Sequence, residues 1–277
     1  MQTHTNRKDI ELAMSTRGLY LYCIANGGQE ANLGKIGIDE NEVYIIPYKG
    51  IGAVVHTCLP EPYKSENTEM VTEWVLAHQK VVETALEKFG IVLPLSFDTI
   101  VKGGEPLSAE QNLMKWLKEN YEDLKAKIEK VRGRVEVGIQ VFWNLTFIAQ
   151  DLAETNQEIR KLKEEMEEKS PGMAYFYRQK MEQALRKALD EKADAFFKEF
   201  YGRIRRYADD LRVEKTKKVD KSKQMLMNLS VLIHKDKIRS LGEELAKIKE
   251  FRGLDLRFTG PWPPYSFVAP PDPIIKG

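Results

Sequence analysis

The chain has 277 residues, of which 42% are hydrophobic and 31% charged, so it holds the material for one large domain or two of ordinary size and is too polar for a membrane-embedded bundle. Forty-three Lys and Arg against forty-two Asp and Glu leave a net charge of +1, which provides no whole-molecule field to steer the chain onto nucleic acid or an anionic membrane. Its two cysteines, Cys23 and Cys58, each lie in an apolar run and read as buried thiols of a reducing compartment, with a single disulfide between neighbouring strands as the alternative.

Residues 1–17 contain no apolar core of signal-peptide length and are expected to form a polar tail. No stretch approaches the roughly 18 apolar residues of a membrane span, so a soluble, cytoplasmic protein is expected. From Gly18 the pattern is β: Leu19 to Ala25 is rich in β formers and closes on Asn26-Gly27-Gly28. Val43 to Ile46 and Ile51 to His56, joined by Pro47-Tyr48-Lys49-Gly50, read as a hairpin. A helix is predicted over 66–89, with Val71, Trp74, Val75, His78, Val81, Val82, Ala85 and Phe89 on one face and Gly90 as its stop. A short strand follows around Ile91 to Leu95. A second helix runs from the N-cap Ser108 through Leu113, Trp116, Leu117, Leu124, Ile128 and Val131.

After Gly133, Val135, Val137, Ile139, Val141 and Trp143 alternate as one face of a strand. A charged helical stretch is predicted over 153–169, then a very long helix from Ser170-Pro171 that carries Phe176, Tyr177, Phe196, Phe200, Ile204, Tyr207 and Leu211, with Gly202 as a possible bend. A strand over 225–233, a helix over 236–250 stopped by Gly253, and a last strand over 254–258 complete the pattern. The fold class is therefore α+β with two tandem domains, 18–132 and 133–277. Each resembles a ferredoxin-like arrangement, the second modified by a long helical insertion at about 150–213.

No stretch carries a catalytic or metal-binding signature, so no catalytic residue, cofactor or metal is assigned. The histidines His4, His56, His78 and His234 lack metal-site spacing, and His78 on an apolar helix face reads as a core histidine with one satisfied nitrogen. Gly28 to Lys35 has the wrong glycine spacing for a phosphate loop, and Ile36 stands where Ser or Thr is needed. The lysines 215, 217, 218, 221 and 223, mixed with acids and free of aromatics, read as a solvated loop. The most distinctive stretch is Gly260-Pro261-Trp262-Pro263-Pro264-Tyr265-Ser266-Phe267, a stiff ribbon of proline and aromatic rings. Its rings either cap the core of the second domain or form an adhesive surface for an apolar partner. Phe196, Phe200 and Tyr207 on the long helix are a second candidate interface.

That ending resembles the C-terminal signature of the gas vesicle protein F/L family. Leu19-Tyr20-Leu21-Tyr22 resembles the family's opening strand, His78 with Val81-Val82-Glu83 its first-helix pattern, and Leu93 to Thr99 the strand and turn that follow. Gly172 with Ala174-Tyr175, and Met225 to Ile233, resemble later blocks. The family more usually has arginine at the position of Ser96, glycine at that of Asp98 and tyrosine at that of Val231. The resemblance implies two domains of ferredoxin-like and modified ferredoxin-like type. It also implies a non-enzymatic accessory protein of gas vesicle assembly, whose partners are the small hydrophobic shell protein and other accessory proteins, with no nucleic acid, membrane or small-molecule substrate. An enzyme with a site assembled across the fold and a nucleic-acid binder on a ferredoxin-like sheet are the competing classes.

Overall fold

The computed structural model describes residues 17–167, 170–217 and 223–268, and its chain divides into two compact units. The expected polar tail, apart from Arg17, lies outside the described residues, as do Lys218 and Lys221 of the lysine run. The first unit reaches Val135 and also takes in the segment from Trp262, whereas the second runs from Glu136 to Pro261.

In the first unit the strands are β1 (Gly18–Asn26), β2 (Asn32–Gly34), β3 (Val43–Tyr48), β4 (Ile51–Cys58), β5 (Val92–Pro94) and β6 (Ile100–Lys102), in the order β2-β3-β4-β1-β5 with β6 also on β1. β1 is buried from Leu19 to Ala25, as its run of aromatic and aliphatic residues requires of a central strand. Its pairing with β4 slips between Leu21 and Cys23, leaving Tyr22 as the extra residue of a bulge. Tyr20, Tyr22, Cys23 and Ala25 consequently share one core with Val43, Ile45 and Val54, which strict alternation does not allow. β5 and β6 pair with successive parts of β1 and act as one strand, broken at the turn that holds Asp98.

Helix α1 (Thr68–Phe89) begins at Asn67, whose side chain accepts from the Glu69 and Met70 amides, and ends at Gly90 with φ 74°. It buries His78, Val81, Val82 and Ala85 on the sheet. Val75, predicted inward, is exposed, because the first half of the helix lacks the cover given to its second half. The single helix predicted from Ser108 is two: α2 (Ala109–Glu119), opened by a capping box between Ser108 and Gln111, and α3 (Tyr121–Val131). The break falls at Asn120, whose side-chain amide donates to the Trp116 carbonyl at 2.8 Å and closes the first helix.

The second unit is β7 (Arg134–Asn144), α4 (Leu145–Thr155), α5 (Gln157–Glu167), α6 (Pro171–Arg205), β8 (Asp210–Val213), β9 (Lys223–His234), α7 (Ile238–Lys249) and β10 (Leu254–Trp262), with strand order β10-β7-β9-β8. The helical stretch predicted from Ala153 starts earlier, at Leu145, where Asn144 caps the Phe147 amide. It divides at Asn156, which caps the Glu158 and Ile159 amides. α6 runs through Gly202 without a break and spans about 52 Å. It stops at Arg205, short of the expected Leu211, because residues from Asp210 pair with β9 instead. β10 ends the sheet order, so Pro261 lies on an edge strand, the place in a sheet where proline is tolerated. The described residues thus form a mixed helix-and-sheet, α+β protein, and both cysteines are free.

Candidate functional site

The polar residues that converge do so in the first unit. Tyr20 and Tyr22 from β1 and His56 from β4 point from the sheet towards α1, which contributes Trp74 and His78; Tyr63 comes from the connection before that helix. The Ile38 amide donates to Tyr22 Oη at 3.0 Å, and Tyr22 Oη lies 2.7 Å from His56 Nδ1. With its oxygen receiving that amide, the Tyr22 hydroxyl donates to Nδ1, which leaves His56 Nε2–H to donate to Tyr63 Oη at 3.1 Å. A parallel chain runs from the Asp98 amide to Tyr20 Oη at 2.8 Å and from Tyr20 Oη to His78 Nδ1 at 2.9 Å. His78 Nε2 is left towards the Leu95 carbonyl without a well-formed bond. His78 is thus a core histidine with one well-bonded nitrogen, as its place on the helix suggested.

Burial pushes both histidines down to about 4, so at neutral pH they are uncharged. The same burial raises Tyr20, Tyr22 and Tyr63, and lifts the Cys58 thiol to about 11. A general base works best near the operating pH, and these groups are moved away from it. What the network does chemically is satisfy hydrogen bonds inside an aromatic core, where Tyr20 stacks on His56 with ring centroids 5.1 Å apart.

Tyr63 also faces outward. With Trp74, Leu59, Pro62, Asp39 and Arg17 it lines an open groove of about 670 Å³. Trp74 Nε1 donates to Asp39 Oδ1 at 2.8 Å, and the Tyr63 amide donates to Asp98 Oδ1 at 2.9 Å. Asp39, Glu40 and Asp98 all have positive φ, at 53°, 56° and 67°. Each such residue costs on the order of 1–2 kcal/mol, so the groove wall is held in place at a cost in backbone energy. Leu59 on its rim is 72% exposed. Nothing in the sequence flagged this groove, since Asp39, Tyr63, Trp74 and Asp98 are far apart along the chain.

The ribbon is divided. Pro263, Pro264, Phe267 and Val268 are buried, with Lys130 Nζ 5.9 Å from the Phe267 ring centroid, whereas Trp262 is 39% exposed and Tyr265 is also exposed. Gly260 has φ 105° and the Gly260–Pro261 peptide is cis; Tyr265, Ser266 and Phe267 form a 3-10 turn. The ribbon was expected to belong with the second domain, but from Trp262 onward it groups with the first unit, because Phe267 and Val268 need an apolar interior to enter.

Phe196 and Phe200 do not form an interface. They stack at 5.3 Å and meet the Phe251 ring edge-on, buried inside the second unit, since α6 lays that part of its length on its own unit. Tyr207, half-buried, lies beyond the end of the helix. The exposed rings of α6 are Tyr175 and Phe176, at its other end.

Among the described residues no group of His, Cys, Asp and Glu is placed to hold a metal ion, and no helix is long and apolar enough to cross a membrane. Fold and site together define an α+β protein whose surface offers an open aromatic groove and exposed apolar side chains. Residues 18–269 match the family model described as gas vesicle synthesis protein GvpL/GvpF, and the chain belongs to that family. It is 30% identical to gas vesicle protein L1 of Halobacterium salinarum over 91% of each chain. It is 23% identical to gas vesicle protein F of Nostoc sp., over 91% of this chain and 98% of the relative. The crystal structure of gas vesicle protein GvpF from Anabaena sp. shares the fold with a TM-score of 0.73 at 23% identity, covering 91% of this chain and 98% of that one.

Proposed function

We propose that this protein is an accessory protein of gas vesicle formation, acting in the cytoplasm, that binds the hydrophobic shell protein during nucleation or growth of the vesicle without covalent chemistry. Family membership makes it gas vesicle-related. The observation that carries the finer reading is the groove of the first unit, where Leu59, Pro62, Tyr63 and Trp74 present apolar surface beside the charges of Arg17 and Asp39. An open groove of this kind suits a protein segment better than a small substrate, which calls for an enclosed pocket. The histidines behind it, held near 4, favour a binding role over acid–base chemistry at neutral pH. Trp262 and Tyr265 of the ribbon are a second apolar contact candidate.

Capture of nascent shell protein by the purified chain is the test. Leu59→Asp removes the most exposed apolar side chain of the rim and is expected to weaken capture by at least about tenfold, the cost of placing a charge against an apolar partner. If wild type captures no shell protein, and vesicles form normally in cells lacking the gene, the proposal is overturned.

A further inference from the structure

Two helices expose surfaces of opposite character, and neither belongs to the groove or the ribbon. On the first turns of α6, Met173, Phe176 and Lys180 follow one another at i, i+3 and i+7, with Tyr175 and Arg178 beside them. Met173 and Phe176 are exposed, and Tyr175 is 63% exposed. The Lys180 ammonium sits 4.6 Å from the Phe176 ring centroid, Arg178 makes no ion pair among the described residues, and the helix carries no acidic residue before Glu182. This end of α6 is aromatic and positive.

On the first half of α1, Glu69, Glu73 and Leu76 follow one another at i, i+4 and i+7, preceded by Glu66 and flanked by Met70. Leu76 is 58% exposed, and among the described residues none of the three glutamates is in an ion pair. This half of α1 is apolar and negative.

We infer that the chain associates with itself head to tail. The start of α6 of one copy docks, through Met173, Phe176 and Lys180, on Glu69, Glu73 and Leu76 of the next. A second copy is singled out because the same chain displays both surfaces, each with apolar side chains ringed by uncompensated charge of the sign the other lacks. The contact uses different surfaces on the two partners, so a pair joined by one such contact leaves one of each unoccupied, and further copies extend an open chain or close a ring. None of this depends on the shell-protein reading, and the test uses the full chain alone.

Sedimentation velocity over a concentration series is expected to show mass rising beyond twice the monomer, and less so in 1 M salt, where the Debye length falls to about 3 Å. Charge reversal on α6 (Arg178→Glu with Lys180→Glu) or on α1 (Glu69→Lys with Glu73→Lys) is expected to raise the concentration needed by roughly tenfold or more, since like charges then face each other. The two reversed variants, each weakened in self-association, are expected to co-assemble when mixed, because every α6 end then meets an α1 surface of opposite sign. Circular dichroism confirms that the variants are folded, as substitutions at exposed positions should leave them. A wild type that stays monomeric or stops at a closed dimer overturns the inference. So do reversed variants that associate as wild type does, or folded variants that fail to co-assemble on mixing.

Discussion

The two units lay their four main strands in the same order, yet fill the first crossover in opposite ways. Taking β1, β3, β4 and β5 in one and β7, β8, β9 and β10 in the other, each sheet reads second, third, first, fourth, the order of a split βαβ unit. In the first unit β1 and β3 are both antiparallel to β4 and hence parallel to each other, which requires a crossover of a dozen or more residues. It is made by residues 27–42, with the short β2 and a turn that forces Asp39 and Glu40 to positive φ. In the second unit the same step takes α4, α5 and α6, more helix than one sheet face covers. A spare crossover brings Asp39 against Trp74 and shapes a concave groove, whereas a generous one leaves half a helix exposed.

The contrast breaks most readily in α6, if its halves differ as burial says. Phe200→Ala empties a fully buried site between Phe196 and Phe251 and is expected to cost about 3–5 kcal/mol. Phe176→Ala, at the exposed end, should stay within about 0.5 kcal/mol. Urea melts of both variants check this. Equal losses would mean that the helix is anchored along its whole length.

A second test separates the units by pH. His56 and His78 are held at about 4 in the folded first unit, against about 6.5 in the unfolded chain. Between those values the unfolded state binds more protons, so stability is complete above pH 6.5 and falls as the pH drops towards 4. The loss is of order 3 kcal/mol per histidine. The second unit buries no histidine among its described residues. Hydrogen exchange followed from pH 7 to 4.5 should show β1 and β4 losing protection before β7 and β9. Loss in step would remove the distinction.

What was legible in the chain is what local chemistry decides. Gly90 stops α1, Ser108 caps α2, and the alternation of Val135 to Trp143 marks a strand because each signal lies within a few residues of its effect. The bulge at Tyr22 was hidden, since a strand buried on both faces is apolar at every position and shows no slip of phase. Helical spacing placed Phe196 and Phe200 on one face but not under Phe251, which arrives some fifty residues later. Leu211 fits a helix stripe equally well until β9 supplies a strand to pair with. The groove was illegible for the same reason, being assembled from three separate connections and a helix.

The smallest expected effect lies at Asp98, where two opposing contributions decide the sign. Its φ of 67° disfavours any side chain, so replacement by glycine relieves roughly 1 kcal/mol of backbone strain. The same change removes the carboxylate that accepts from the Tyr63 amide, a bond worth about 1 kcal/mol net, and adds freedom to the unfolded chain. Asp98→Gly should therefore shift stability by less than about 1 kcal/mol, whereas Asp98→Ala keeps the strain, loses the bond and should cost about 1–2 kcal/mol. Stability alone misses the larger consequence, because the carboxylate ties the chain at Tyr63 to the turn that also donates to Tyr20. In Asp98→Gly the Tyr63 amide should exchange faster while the Leu21 amide, bonded to the Thr99 carbonyl, keeps its rate. Unchanged exchange at Tyr63 would show that the groove wall stands without the aspartate.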